Sequence, residues 1–101
     1  MKNDPFKDYI LDQLRDMQGV AARPMFGGFG LYLRGTFFGI ISQDRLYFKT
    51  SVASRKKYEV SGMEPFQPNA RQILKNYYKV PPEVQEDARN LAQWAEEAAR
   101  V

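Results

Sequence analysis

The hydrophobic period changes along this chain, and the change limits the folds that the chain can adopt. Over residues 5–17 apolar side chains recur at the spacing of one helix face, and Asp4 before Pro5 is a typical N-cap. Over residues 23–50 apolar residues instead alternate with a period of two, between glycine-containing turns. The pattern predicts one helix followed by three or four short antiparallel strands.

The alternation assigns side chains to the two faces of the predicted sheet. Phe29, Leu31 and Leu33 share one face, opposite Tyr32 and Arg34, and on the next strand Phe38 and Ile40 alternate with Phe37, Gly39 and Ile41. Arg34-Gly35-Thr36 predicts the turn between these strands, and Met25 with Phe26 adds a short strand before them.

The second half of the chain contains further strands and helices. Ser51 predicts the start of a helix of about ten residues, and the prolines within residues 63–68 favour an edge strand there. Residues 71–80 fit either a helix or a strand, and the β-formers Tyr77 and Tyr78 favour a strand.

An amphipathic helix of about five turns is predicted from Pro82, with a second start at Asp87 left open. The order α-β(3-4)-α-β(2)-α predicts an α+β fold, in which three helices pack against one face of an antiparallel sheet. The whole chain, residues 1–101, is predicted to be one domain.

Composition narrows the possible chemistry. The 101 residues include no histidine and no cysteine, so the usual zinc ligands, a Ser/His pair and a thiol nucleophile are missing. We therefore expect a protein that is not an enzyme and carries no metal or cofactor. The absence of cysteine and of a long apolar segment predicts a cytoplasmic chain that does not enter a membrane.

Charge is unevenly distributed along the chain. Residues 21–81 contain ten bases and three acids, whereas residues 82–101 contain two bases and five acids. Nine of the middle bases form a candidate basic patch: Arg34, Arg45, Lys49, Arg55, Lys56, Lys57, Arg71, Lys75 and Lys79. Such a patch binds nucleic acid or an acidic protein if its members lie together, and a solvated surface is the favoured interpretation.

The most distinctive stretch begins at Arg23 and continues through a glycine-rich loop. Its candidate binding or structural residues are Arg23, Met25, Phe26, Gly27, Gly28, Gly30 and Tyr32. Phosphate-binding glycine loops precede a helix, whereas a strand follows here, which favours a turn with positive φ and close backbone approach. Tyr32 shares the outward face with bases of the neighbouring strand, a pattern compatible with nucleobase stacking or with a solvated face.

Residues 23–32, together with Leu46-Tyr47-Phe48-Lys49-Thr50 and Tyr77-Tyr78-Lys79-Val80-Pro81, resemble the TfoX N-terminal domain family. The resemblance implies a two-layer architecture like that of type III secretion chaperones. It also implies a bacterial protein related to a regulator of competence genes, and no catalytic residues. Ala88 departs from the family, which often has proline there, so the resemblance leaves a break in the last helix open.

These observations predict a non-catalytic regulatory or adaptor module that binds a protein, as a monomer or a homodimer. A nucleic-acid-binding domain that uses the basic middle segment is the alternative. A small enzyme without His or Cys is disfavoured, because the middle segment contains only three carboxylates.

Overall fold

The computed structural model describes residues 4–25 and 27–101. The elements, in chain order, are α1 (Pro5–Gln13), β1 (Val20–Met25), β2 (Gly28–Leu33), β3 (Thr36–Ser42), β4 (Arg45–Lys49), α2 (Val52–Val60), β5 (Pro65–Asn69), β6 (Gln72–Lys79), α3 (Pro82–Gln85) and α4 (Ala88–Ala99). The predicted α+β class is confirmed, and the segment 71–80, for which a strand was favoured over a helix, contains β6.

The six strands form one antiparallel sheet in the order β1-β2-β3-β4-β6-β5. Residues from all four helices pack against one face of this sheet, which we call the inner face; they include Ile10, Tyr58, Val84 and Leu91. The opposite side is the outer face. Strands β1 and β5 form the two edges, and both contain proline, which suits an edge strand because proline donates no ladder hydrogen bond.

Large side chains fill the space between the helices and the inner face. The rings of Phe38 and Phe48 lie 5.6 Å apart and both side chains are fully buried, beside Leu46 and Leu91. Burying a side chain of this size contributes roughly 1.5–3 kcal/mol. These buried side chains, which we call the inner cluster, therefore hold the helices on the sheet.

Side-chain caps begin three of the helices at the positions that the sequence indicates. Asp4 accepts a hydrogen bond from the backbone of Lys7 at 3.0 Å, and Ser51 forms a reciprocal capping box with Ser54. Helix α1 is shorter than the predicted 5–17. Past Gln13 the chain tightens into i→i−3 hydrogen bonds, which still deliver Met17 to the inner cluster.

The last helix is divided, so residues 4–25 and 27–101 contain four helices where three were predicted. Asp87 starts α4 by accepting a hydrogen bond from the backbone of Asn90 at 3.2 Å. Gln85, at the end of α3, is held from both sides: its Nε2 donates to the carbonyl of Val80, and its own carbonyl accepts from Gln13 Nε2. These hydrogen bonds hold the chain at the break between α3 and α4, which the sequence had left open.

Two predictions about the strands are wrong in detail. Strand β1 spans six residues, whereas a short strand at Met25 and Phe26 was predicted; Phe26 lies outside the described residues. In β3 the register against β2 shifts, so that Phe38 is an extra residue. Because of this bulge, Phe38 faces inward but Ile40 faces outward, instead of both sharing one face.

Gly28 is held close to β3, which predicts a large cost for any side chain at that position. A Cβ on Gly28 would overlap the carbonyl oxygen of Ile41, whereas a Cβ on Gly30 would meet only the ends of side chains such as Phe37. We expect Gly28→Ala to lower the free energy of unfolding by about 1–3 kcal/mol. Gly30→Ala is the matched control and should cost less, as measured by urea unfolding. Equal costs would contradict this account.

Tyr58 is buried, and its hydroxyl has no hydrogen-bond partner among the described residues. Burial, and secondarily the charge of Glu97, raises the pKa of Tyr58 above its ordinary value of 10.0. The folded state therefore retains this proton more tightly than the unfolded chain, and the stability present below pH 10 is lost as the pH rises further.

Replacing Tyr58 by phenylalanine keeps the ring, which packs 4.8 Å from the ring of Trp94, and removes the unpaired hydroxyl. We expect Tyr58→Phe to be neutral or stabilising by up to ~1 kcal/mol at pH 7. It should also lose stability less steeply than the wild type above pH 10. Urea unfolding across this pH range measures both effects, and a marked loss of stability at pH 7 would show that the hydroxyl has a partner.

Candidate functional site

A second, smaller hydrophobic cluster lies on the outer face, where no described helix packs. The buried members are Ile40, Tyr47 and Phe66, and the partly buried ones are Met25, Phe37, Leu74 and Tyr77. Tyr47 is only 8% exposed, and its ring lies 4.7 Å from that of Phe66. This side of the sheet, which the sequence favoured as a solvated face, therefore carries a small hydrophobic cluster. We call this group the outer cluster.

Three partly exposed aromatic rings cross the outer face in a row, which we call the aromatic row. The rings of Tyr32 and Phe37 lie 5.3 Å apart, and those of Phe37 and Tyr77 lie 5.7 Å apart. Phe37 and Tyr77 lie on β3 and β6, the two strands that flank β4, and Tyr77 is opposite Lys49 in the register. Burial, with a smaller effect of Tyr32, raises the pKa of Tyr77 above 10.0. The aromatic row is thus a continuous strip at the surface.

The glycine-rich stretch places several predicted residues beside this row. The guanidinium of Arg23 lies 5.1 Å from the centre of the Tyr32 ring, in a cation–π contact. Met25 packs on the outer cluster, and Gly30 lies beneath Phe37 and Tyr32, where a Cβ would crowd them. Arg23, Met25, Gly30 and Tyr32 therefore form part of one surface. Phe26, the remaining candidate, falls outside the described part of the chain.

The glycines serve the sheet in different ways. Gly27 has φ 74° in the turn between β1 and β2, as expected for a turn glycine. Gly28 and Gly30 do not have positive φ, so the expected left-handed backbone is absent at these two positions. The expected close approach of neighbouring atoms is present at both. The segment that follows is β2 and not a helix, which leaves no helix N-terminus to hold a phosphate.

Four basic residues surround the aromatic centre of the outer face. Arg45 and Lys49 lie two residues to either side of Tyr47 in β4, and Lys79 is opposite Tyr47 in the register with β6. Arg23 is the fourth. Within residues 4–25 and 27–101 all four lack a carboxylate within 4.0 Å, because the ion pairs there involve other bases. Their charges are available to a partner.

Three other residues of the predicted basic patch have contacts of their own. Arg34 donates to the carbonyl of Gln18 at 3.0 Å, and Arg55 donates to Asn76 Oδ1 at 3.3 Å. Lys57 pairs with Glu97 at 2.6 Å and lies over the Trp94 ring. The remaining three, Lys56, Arg71 and Lys75, are exposed. Lys57 lies against α4, whereas Arg45, Lys49 and Lys79 lie on the outer face, so the nine bases do not form one patch.

The side chains of this surface are of the kinds that form non-covalent contacts. It offers aromatic area, guanidinium and ammonium donors, and the phenol groups of tyrosines. Among the described residues, no three His, Cys, Asp or Glu side chains come together as metal ligands would. In the same part of the chain, no helix is long and apolar enough to cross a membrane.

Sequence reasoning missed Phe37, Phe66 and Tyr77 as members of this surface. Phe37 lies opposite Phe38, as the alternation indicates, but it was not connected with Tyr32 or Tyr77; Phe66 was missed because its segment was assigned to an extended edge without a face. A usable signal was the proline-flanked aromatic at Phe66, since a lone large ring on an edge strand needs a partner ring across the sheet.

The comparison with protein families agrees with the fold. The family model described as the TfoX N-terminal domain matches residues 12–101, nearly the whole chain. No curated protein matches this chain. The match covers every strand of the sheet and three of the four helices, so that the chain belongs to the TfoX N-terminal domain family.

Proposed function

We propose that this chain is a non-catalytic regulatory or adaptor module of the TfoX N-terminal type, which acts in the cytoplasm by binding another protein. The contact surface is the outer face, with the aromatic row at its centre. Family membership supports a role linked to competence or transcription regulation. The single observation that carries the proposal is a continuous aromatic strip beside four bases that have no carboxylate partner among the described residues.

The composition of the outer face matches that of protein-binding surfaces. Aromatic residues and arginine are enriched at the centres of interfaces and among the residues whose truncation weakens binding most. Tyr32, Phe37 and Tyr77 are partly exposed although large, and Arg23 lies on the Tyr32 ring. A partner with apolar side chains and acidic groups would bury the rings and pair the four bases.

Single-stranded nucleic acid is the second candidate partner, because basic and aromatic residues alternate on this face. A stacking platform needs an open ring face for each nucleobase. Here the rings of the row lie tilted against each other, at 49° and 47° between planes, and the Arg23 guanidinium lies over the Tyr32 ring. This packing favours a protein partner.

Charge reversal on the outer face tests the proposal. The double variant Arg23→Glu/Lys49→Glu should abolish capture of the partner when the immobilised full chain is exposed to lysate of its native cell, with detection by mass spectrometry. Lys56→Glu/Arg89→Glu, on helices α2 and α4, changes the net charge equally and should retain capture. Equal urea midpoints for the two variants would exclude unfolding as the cause.

Salt dependence distinguishes the two classes of partner. If the chain binds single-stranded nucleic acid through three phosphates, the logarithm of its affinity should fall with the logarithm of salt concentration with a slope of about −2.1. We expect no such binding at physiological salt. Tight, salt-sensitive binding to an oligonucleotide that Arg23→Glu/Lys49→Glu removes would overturn the protein-binding proposal.

A further inference from the structure

A small pocket opens on the outer face where β4 begins and β6 ends. It has a volume of about 250 Å³ and is lined by Arg45, Tyr47, Glu64, Pro65 and Lys79. Tyr47 also belongs to the outer cluster, so the pocket adjoins the apolar part of this face. Its lining consists mainly of side chains that carry charge or a hydroxyl.

The backbone fixes the positions of these side chains. Tyr47 and Lys79 are direct neighbours across β4 and β6, and Arg45 lies two residues before Tyr47 on the same face. The backbone N–H of Lys79 donates to the carbonyl of Glu64 at 3.0 Å, which ties the chain before β5 to the same place. The pocket is therefore built on paired strands and not on a free loop.

The electrostatics of the pocket leave a surplus of positive charge. Two bases and one carboxylate line it, and none of the three takes part in a salt bridge within 4.0 Å among the described residues. An arginine fork and a lysine ammonium are the donors that proteins use for oxyanions. Lys79 is only partly exposed, which reduces the screening of its charge by water.

Tyr47 adds a neutral donor. Its ring is held against Phe66, but the hydroxyl has no hydrogen-bond partner among the described residues and is not among the fully buried polar atoms. The hydroxyl therefore remains accessible at the pocket wall. Arg45, Tyr47 and Lys79 together supply three kinds of donor around one small volume.

We infer that this pocket binds one oxyanion, a carboxylate or a phosphoryl group, on a side chain of the protein partner. The inference rests on the proposed function and names the chemistry of the partner: a segment in which an acidic or phosphorylated residue stands next to an apolar one. The oxyanion pairs with Arg45 and Lys79 and accepts from Tyr47, while its apolar neighbour covers the outer cluster. A single pocket fits a single anionic side chain better than a run of phosphates.

Titration of the ¹⁵N-labelled full chain with short peptides tests the pocket. The probes are a glycine-serine peptide with a central Leu-Glu, the same peptide with Leu-phosphoserine, and a control with Leu-Gln. We expect both anionic probes to shift the amide signals of Arg45, Tyr47 and Lys79 more than the control does. The stronger of the two identifies the source of the oxyanion. Equal shifts from all three peptides would overturn the inference.

Variants that should change probe binding in opposite directions make the test specific. Lys79→Gln should weaken binding of the anionic probes by about two- to fivefold, as for a partly exposed ion pair, and Glu64→Gln should strengthen it by a similar factor. Tyr47→Phe retains the ring against Phe66 and should weaken binding, while Lys56→Gln, outside the pocket, should have no effect. Weakening by Lys56→Gln as strong as by Lys79→Gln would show non-specific attraction and contradict the pocket.

The outcome can be separated from that of the proposed function. If the native partner is lost with Arg23→Glu/Lys49→Glu but retained at full strength by Lys79→Gln, the outer face binds protein and the pocket inference is wrong. If Arg23→Glu/Lys49→Glu captures the partner as well as the wild type does, the proposed function itself is wrong.

Discussion

One extra residue in β3 determines which side chains each face of the sheet carries. The bulge at Phe38 turns this ring and the following Gly39 toward the helices, and leaves Phe37 and Ile40 on the outer face. Without the extra residue, the part of β3 on one side of it would shift by one residue, and the side chains there would change faces. Both the inner cluster and the aromatic row depend on this local irregularity, because each needs a ring from the same strand.

Much of the fold can be predicted from local signals. Asp4, Ser51 and Asp87 cap helices because their side chains satisfy backbone N–H groups a few residues ahead, a short-range interaction that residue order reveals. The bulge is different, since it is defined by pairing with another strand. Strand β1 also depends on its partner strand. It contains two alanines and a proline, residue types that are depleted in strands, and it is a strand because it pairs with β2.

The candidate site was only partly predictable for a related reason. Neighbouring bases in the sequence, such as Arg55 and Lys57, have separate partners, since Lys57 pairs with Glu97 on a distant helix and Arg55 donates to Asn76 on β6. Conversely, Arg23, Lys49 and Lys79 are far apart in the chain and meet on one face through strand pairing. Charge density along a sequence therefore does not locate a surface patch, whereas strand register does.

The edges of the sheet leave its outer face as the open route for a partner. A partner that adds a strand needs an edge with regular free donors, and Pro24 in β1 and the prolines of β5 interrupt both edges. The inner face is covered by the helices, whose last segment carries an excess of acidic residues. A partner with acidic groups would find on the outer face both rings and bases that lack a carboxylate partner among the described residues.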